Sequence, residues 1–300
     1  MSAPSADAPP LDLAVLTAVA SLRDADVPNP DILCLLGTGI DVLPSELVEE
    51  LKSVSLSDIP GVPEMWRGCV LGYGSVLSKD SHRATVWVLE DVGLDTPEAP
   101  HASAEPAFAT GFPCWMAAFA GATLLIHTSA AGALVGANIQ AGQLAVIRDH
   151  INLSGASPLH ALGESKLGPL FPDVSQLHSP CLRREALDFA LGEGLELMEV
   201  VVACAAPVSL ATPAERDWFR TAGADIWIQG IANPLLAAAH AGLKVLALTA
   251  VTADSGHTTD IPAMLAASSD AAPRMSALIA GVFPAAVSFA SRTGPTKGNA

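Results

Sequence analysis

Short runs rich in Val, Ile and Leu alternate along this chain with Ala-rich stretches whose apolar residues recur at helical period, and that alternation leaves few folds open. A continuous apolar run fits a strand buried on both faces, and such a sheet needs helices to cover it. The expected fold class is therefore α/β. Strands are expected at Ile32–Leu36, Cys69–Gly72, Thr85–Leu89, Thr123–Thr128, Leu144–Asp149, Glu199–Ala205, Ile226–Gln229 and Lys244–Thr249. Helices are expected at Leu11–Asp24, Leu43–Leu51, Phe112–Phe119, Arg183–Glu193, Pro213–Thr221, Asn233–Ala241 and Ala271–Phe283.

With 300 residues, 50% of them hydrophobic, and a mean hydropathy of +0.42, the chain must bury one large core. No internal repeat or composition shift marks a second domain. Residues 11–290 are read as a single domain, with residues 1–10 and 291–300 as solvated tails lacking apolar periodicity. Two segments are long for loops of a compact domain: Asp91–Gly111, with prolines and acids spread through it, and the Gly-, Pro- and Ser-rich Ser154–Pro180. Segments of this kind serve as lids, interface loops or insertions.

Charge narrows the partners. Fifteen Lys and Arg against 31 Asp and Glu give a formal net charge of −16, which repels phosphodiester backbones and excludes nucleic acid. Apolar runs such as Ala117–Ile126 and Leu243–Val251 are about ten residues long, short of the roughly 20 that span a bilayer, so no membrane segment is expected. No charged n-region precedes an apolar h-region at the start of the chain. The five cysteines, Cys34, Cys69, Cys114, Cys181 and Cys204, are odd in number, widely spaced and set in mostly apolar sequence. They fit buried thiols of a cytoplasmic protein, and no pair has metal-ligand spacing.

Four segments carry a family resemblance. Ile32–Gly39 is a strand running into Gly-Thr-Gly; Ile126–Leu134 is a strand ending in Ser-Ala-Ala-Gly-Ala; Gly142–Gly155 reads GQLAVIRDHINLSG; and Ala211–Glu215 is followed by Gly223-Ala224-Asp225. In this order and spacing, over roughly residues 11–283, they resemble the trimeric purine nucleoside phosphorylases. The resemblance implies a twisted mixed β-sheet, partly closed into a barrel and surrounded by helices, assembled as a homotrimer with sites near the subunit interfaces. It also implies a reaction in which phosphate, as co-substrate and with no other cofactor or metal, cleaves purine nucleosides to base and ribose 1-phosphate.

Position by position, the implied site is depleted. Thr38 stands for the family's phosphate-binding Ser and keeps a hydroxyl, flanked by Gly37 and Gly39, whose N–H groups can face an anion. Ala130 completes the phosphate-binding set, and Ala131, Gly132 and Leu210 belong to the nucleoside pocket. A family His corresponds to Met65, which offers no donor. The segment that brings phosphate-binding Arg and sugar-binding His and Tyr has no counterpart, and His101 is the basic side chain in its place. The purine-binding Glu corresponds to Ala211 and the purine-binding Asn to Ala253. The Met-Ser pair at the ribose corresponds to Gln229 and Gly230, and the aromatic lent by a neighbouring subunit falls near Leu167. Arg148–Asn152 matches a stretch that supports fold and interface. Asp254, His257 and Asp260 are read as a solvated loop. No catalytic residue is assigned. Three functions stay open: an impaired phosphorylase relative, an active nucleoside phosphorylase with an altered pocket using Gln229 and His101, and a structural or regulatory subunit.

Overall fold

The computed structural model describes residues 10–37, 43, 47–77, 83–91, 105–206, 210–256 and 260–293. Nine strands lie among them: β1 (Ile32–Gly37), β2 (Glu49–Ser55), β3 (Val70–Leu77), β4 (Arg83–Asp91), β5 (Leu124–Ala133), β6 (Leu144–Asn152), β7 (Leu197–Ala205), β8 (Ile226–Gln229) and β9 (Lys244–Ala253). Seven α-helices accompany them: α1 (Pro10–Asp24), α2 (Glu64–Arg67), α3 (Phe112–Ala120), α4 (Pro180–Glu193), α5 (Pro213–Thr221), α6 (Ala232–His240) and α7 (Ile261–Thr293).

The sheet order is β2-β3-β4-β1-β5-β8-β7-β6-β9, and β9 pairs back onto β5. The ring β5-β8-β7-β6-β9 is thus a closed five-stranded barrel, and β1, β4, β3 and β2 extend it as an open sheet. The expected α/β class and partly closed barrel are both present. β1, β4, β5 and β9 run parallel to one another along their pairings, so the carboxyl ends of β4, β1 and β5 gather on one side. In sheets of this kind that side is where ligands bind.

Two large apolar cores account for the patterning. One joins α1, α3 and α6 to one face of the sheet through residues such as Leu11, Val15, Leu33, Trp115, Leu125 and Val245. The other joins α4 and α7 to the opposite face through Ile32, Cys34, Ile126, Leu182, Met275 and Phe283. Along α1, Leu11, Val15, Ala18, Val19 and Leu22 are buried at the spacing of one helical stripe.

Three expectations are corrected. Residues 49–51, expected to end a helix, are the start of β2, which pairs antiparallel with β3; the rest of the expected Leu43–Leu51 helix lies largely outside the described residues. Here pairing to a neighbour overrides the helical preference of Glu and Leu, and the exposed, charged Glu49, Glu50 and Lys52 suit a sheet edge. The expected Ala271–Phe283 helix is far longer, 33 residues from Ile261 to Thr293, and runs into the stretch read as a solvated tail. By length and composition α7 could cross a bilayer, but Ala271, Met275, Leu278, Val282 and Ala286 are buried in the second core, as in a core helix. The third concerns Cys181, which is exposed, whereas Cys34, Cys69, Cys114 and Cys204 are buried. Burial pushes the Cys69 thiol up to about 11 and that of Cys204 to about 12.

The long connection before α4 is held by specific bonds. Buried Asp12 of α1 accepts from Ser165 Oγ and from Lys166 N at 2.9 Å. Within the well-matched Gly142–Gly155 stretch, Asn152 Oδ1 accepts from Ser154 N and Oγ, which shapes the turn after β6. His150 of β6 meets His178, just before α4, with Nδ1 and Nε2 3.1 Å apart. Burial pushes the His178 ring down to about 4; the His150 and Arg183 charges add to this and Asp149 opposes it. The unfolded chain takes up this proton as pH falls through about 6.5, while the folded ring stays neutral until about 4. Stability present at neutral pH is therefore lost across that window, by up to about 3 kcal/mol. Urea midpoints are expected to fall between those pH values, and His178→Gln is expected to flatten that part of the profile; an unchanged slope in the variant refutes the assignment.

Candidate functional site

The carboxyl ends of β1, β4 and β5 open into a cavity of about 250 Å³ whose further walls come from β8 and the start of α7. β1 ends at Gly37, whose N–H donates to Thr128 Oγ1 at 3.0 Å. A side chain is excluded at this position, because a Cβ would lie 2.7 Å from the Thr128 carbonyl oxygen. β4 ends at Asp91, which pairs in register with Gly37.

Asp91 reaches His127 of β5, with Nε2 and Oδ2 3.0 Å apart. A carboxylate only accepts, so Nε2 donates the proton of this bond. The Nδ1 of the same ring is buried without a hydrogen-bond partner, as is Ser129 Oγ two residues on, and both residues line the cavity. Thr252 Oγ1, also in the lining, donates to the Ala131 carbonyl at 3.4 Å. Among the described residues the lining contains Asp91 as its charged side chain and neither Lys nor Arg.

The opposite wall is aromatic. Gly132 pairs with Trp227 on β8 and with Ala253 on β9, so the three lie in one row across the barrel wall. The indole of Trp227 covers Gly132: a Cβ there would meet Nε1 at 2.3 Å and Cε2 at 2.5 Å. Trp227 is 5% exposed and shares a small buried cluster with Ala211, Leu134 and Phe219. After β8 the chain turns at Gly230, whose φ of +72° suits glycine and few other residues. Leu210 enters the lining just before α5. The Thr-Pro-Ala-Glu motif that follows Ala211 is a capping box, in which Thr212 Oγ1 accepts from Glu215 N at 3.3 Å and Glu215 Oε2 accepts from Thr212 N at 2.7 Å.

A model of the Phosphorylase superfamily matches residues 31–284. Purine nucleoside phosphorylase 1 of Geobacillus stearothermophilus is 30% identical over 257 residues, 83% of this chain and 87% of its own length. The chain belongs to the purine nucleoside phosphorylase family. The Mycobacterium tuberculosis purine nucleoside phosphorylase is 36% identical over 174 residues, 57% of this chain and 60% of its own. Among solved structures, isoform 2 of the Schistosoma mansoni purine nucleoside phosphorylase, in complex with cytosine and ribose-1-phosphate, superposes with a TM-score of 0.78 at 21% identity, over 90% of this chain and 95% of that one.

For this purine nucleoside phosphorylase family member, the structure brings Ala130, Ala131, Gly132, Leu210, Gln229 and Gly230 together around the cavity. Thr38, Gly39, His101 and His257 lie outside the described residues. Ala211 is buried beside Trp227 and is not in the lining, and neither is Ala253, although its neighbour Thr252 is. Met65 packs on α2 against the first core, and Leu167 packs against the same core, both away from the cavity. Asp254 accepts from Ala141 N at 3.2 Å and Asp260 from Ala263 N at 3.1 Å near the start of α7, so each has a structural task. Among the described residues no cluster of three or more His, Cys, Asp or Glu is placed to hold a metal.

Sequence reasoning missed Asp91, His127, Ser129 and Trp227 as lining residues. His127 carried a signal, being an ionisable side chain after the apolar run Leu124–Ile126; Trp227 carried none, because an aromatic in a buried strand reads as core. Gly132→Ala is expected to cost about 1–3 kcal/mol through overlap with the indole, and Trp227→Val in the same chain is expected to recover much of that loss. A double-mutant cycle of urea midpoints checks this; strict additivity would show that the two residues do not share the space.

Proposed function

We propose that this chain is a purine nucleoside phosphorylase relative whose phosphorolysis is impaired. The observation that carries the reading is the row Trp227–Gly132–Ala253, with the indole lying over the glycine and packed beside Ala211. At positions 211 and 253 the family resemblance expects a carboxylate and an amide that draw negative charge onto the departing purine. Methyl groups hold no hydrogen bond there, and each lost contact to a developing charge costs roughly 3 kcal/mol of transition-state stabilisation.

In this reading Thr38, Gly39 and Ala130 are the remnant of the phosphate corner, purine nucleosides and phosphate are the ancestral substrates, and no further cofactor is used. A cytoplasmic homotrimer is the expected assembly; the exposed Leu170, Phe171 and Val174 in the connection before α4 support burial by a second copy. One set of residues favours a second reading, an active enzyme with an altered pocket: His127, Ser129 and Gln229 supply polar groups to the lining.

Turnover separates the two. Purified protein with inosine and phosphate is expected to release hypoxanthine orders of magnitude more slowly than roughly one per second, the low end of ordinary enzymes; turnover near that rate overturns impairment. Combining Ala211→Glu, Ala253→Asn and Trp227→Val is expected to produce a hypoxanthine-dependent rise in melting temperature that the parent chain lacks, and no rise would count against the placement of the base corner.

A further inference from the structure

We propose that the turn Ser165–Gly168, in the long connection before α4, is a strap held shut by Asp12 and His240 and released when His240 takes up a proton.

Two helices distant in sequence grip the turn. Ser165 and Gly168 pair as an isolated antiparallel bridge. On one side buried Asp12 of α1 accepts from Ser165 Oγ at 2.5 Å and from Lys166 N at 2.9 Å, and Ser165 Oγ accepts in turn from Leu167 N at 3.0 Å. On the other side Gly168 lies directly on His240, the last residue of α6. A Cβ there would sit 1.8 Å from the His240 carbonyl oxygen and 2.5 Å from its Nδ1, so only a residue without a side chain fits. Leu170 and Phe171, just past the turn, are exposed, and the strap thereby sets where an apolar surface patch stands.

The same Nδ1 is the acceptor for the indole of buried Trp115 on α3, with Nε1 2.9 Å away. An indole N–H only donates, so His240 keeps a lone pair on Nδ1 and, as a neutral ring, carries its proton on Nε2. An imidazolium has hydrogen on both nitrogens and cannot accept this bond. Protonation inside the closed strap would set two N–H groups against each other in a residue 2% exposed, with Gly168 packed on the same nitrogen. Burial pushes His240 below its ordinary value, and the Asp12 carboxylate opposes this in part. The other charged residues on the packed elements are engaged or turned outward. Glu164 and Lys166 of the turn are exposed, Arg23 and Asp24 lie at the far end of α1, and Lys244 Nζ of β9 donates to the Gln176 carbonyl at 3.0 Å. Neither α3 nor α6 contains Lys, Arg, Asp or Glu.

The sign of the pH dependence follows. In the released strap the ring regains its ordinary value of 6.5, so release is favoured as pH falls below that value and the closed form is favoured above it. Uptake of one proton raises the opening constant by up to roughly tenfold per pH unit, until the closed form is protonated as well.

Amide hydrogen exchange read by mass spectrometry and corrected for intrinsic rates tests the proposal on the full chain between about pH 7.5 and about pH 5. It is run on the parent and on His178→Gln, which removes another buried imidazole that titrates in this range. In both, a peptide spanning residues 165–168 is expected to lose protection at least roughly fivefold on acidification while peptides of β5 and β9 keep theirs. His240→Gln, whose side-chain oxygen can accept from Trp115 and does not titrate, is expected to hold the protection constant. Should that variant fail to fold, Gly168→Ala is expected to lower the neutral-pH protection of the same peptide toward its acid level, with β5 and β9 unaffected. A flat profile in the parent and His178→Gln, a loss shared equally by β5 and β9, a His240→Gln profile as steep as the parent's, or unaltered protection in Gly168→Ala overturns the proposal.

Discussion

The pairing of β5 with β9 is the constraint on which the rest of the molecule hangs. Leu124 through Gly132 lie in register with Lys244 through Ala253, with one irregularity at Ala131/Gly132. That ladder closes the barrel and leaves the opposite edge of β5 for β1, so one strand belongs to both the closed and the open parts of the sheet. Apolar side chains alternate to opposite faces along it: Leu125 enters the first core and Leu124 and Ile126 the second. A strand gripped on both edges and both faces has little freedom to slip, since a shift of one residue would exchange its two faces. His127 and Ser129 are consequently held at fixed positions at the barrel mouth, and Gly132 is held under the Trp227 indole.

The site that results is set by strand ends and by one aromatic side chain. The carboxyl ends of β1, β4 and β5 still converge on a cavity, but its described charged group is the Asp91 carboxylate, and the wall near Ala211 is filled by an indole. The capping box of α5, the turn after β6 and the two apolar cores use other atoms, so the scaffold does not depend on which groups line the cavity.

Much of the fold was legible from local pattern. β1 and β8 were readable as short apolar runs bounded by turn residues, and α5 from its Thr-Pro-Ala-Glu start. The edge strand β2 was not, because Glu-Glu-Leu-Lys has no apolar alternation and becomes a strand only by pairing with β3. The length of α7 was hidden at its carboxyl end by Pro284, which follows the expected end at Phe283 and reads as a helix break. At the site, the family motifs pointed to Ala130, Gly132 and Gln229 as lining residues, and these do surround the cavity. They did not point to Asp91 and His127, which are 36 residues apart on different strands.

The amino-acid order alone determined the α/β class, the negative charge, the helix caps and the methyl side chains at 211 and 253, since each of these depends on residue type and near neighbours. Tertiary structure alone decided which strand closes on which, that a carboxylate bonds an imidazole at the barrel mouth, and that an indole lies over Gly132. These are contacts between residues distant along the chain, and their geometry exists only after the apolar faces have been buried against one another.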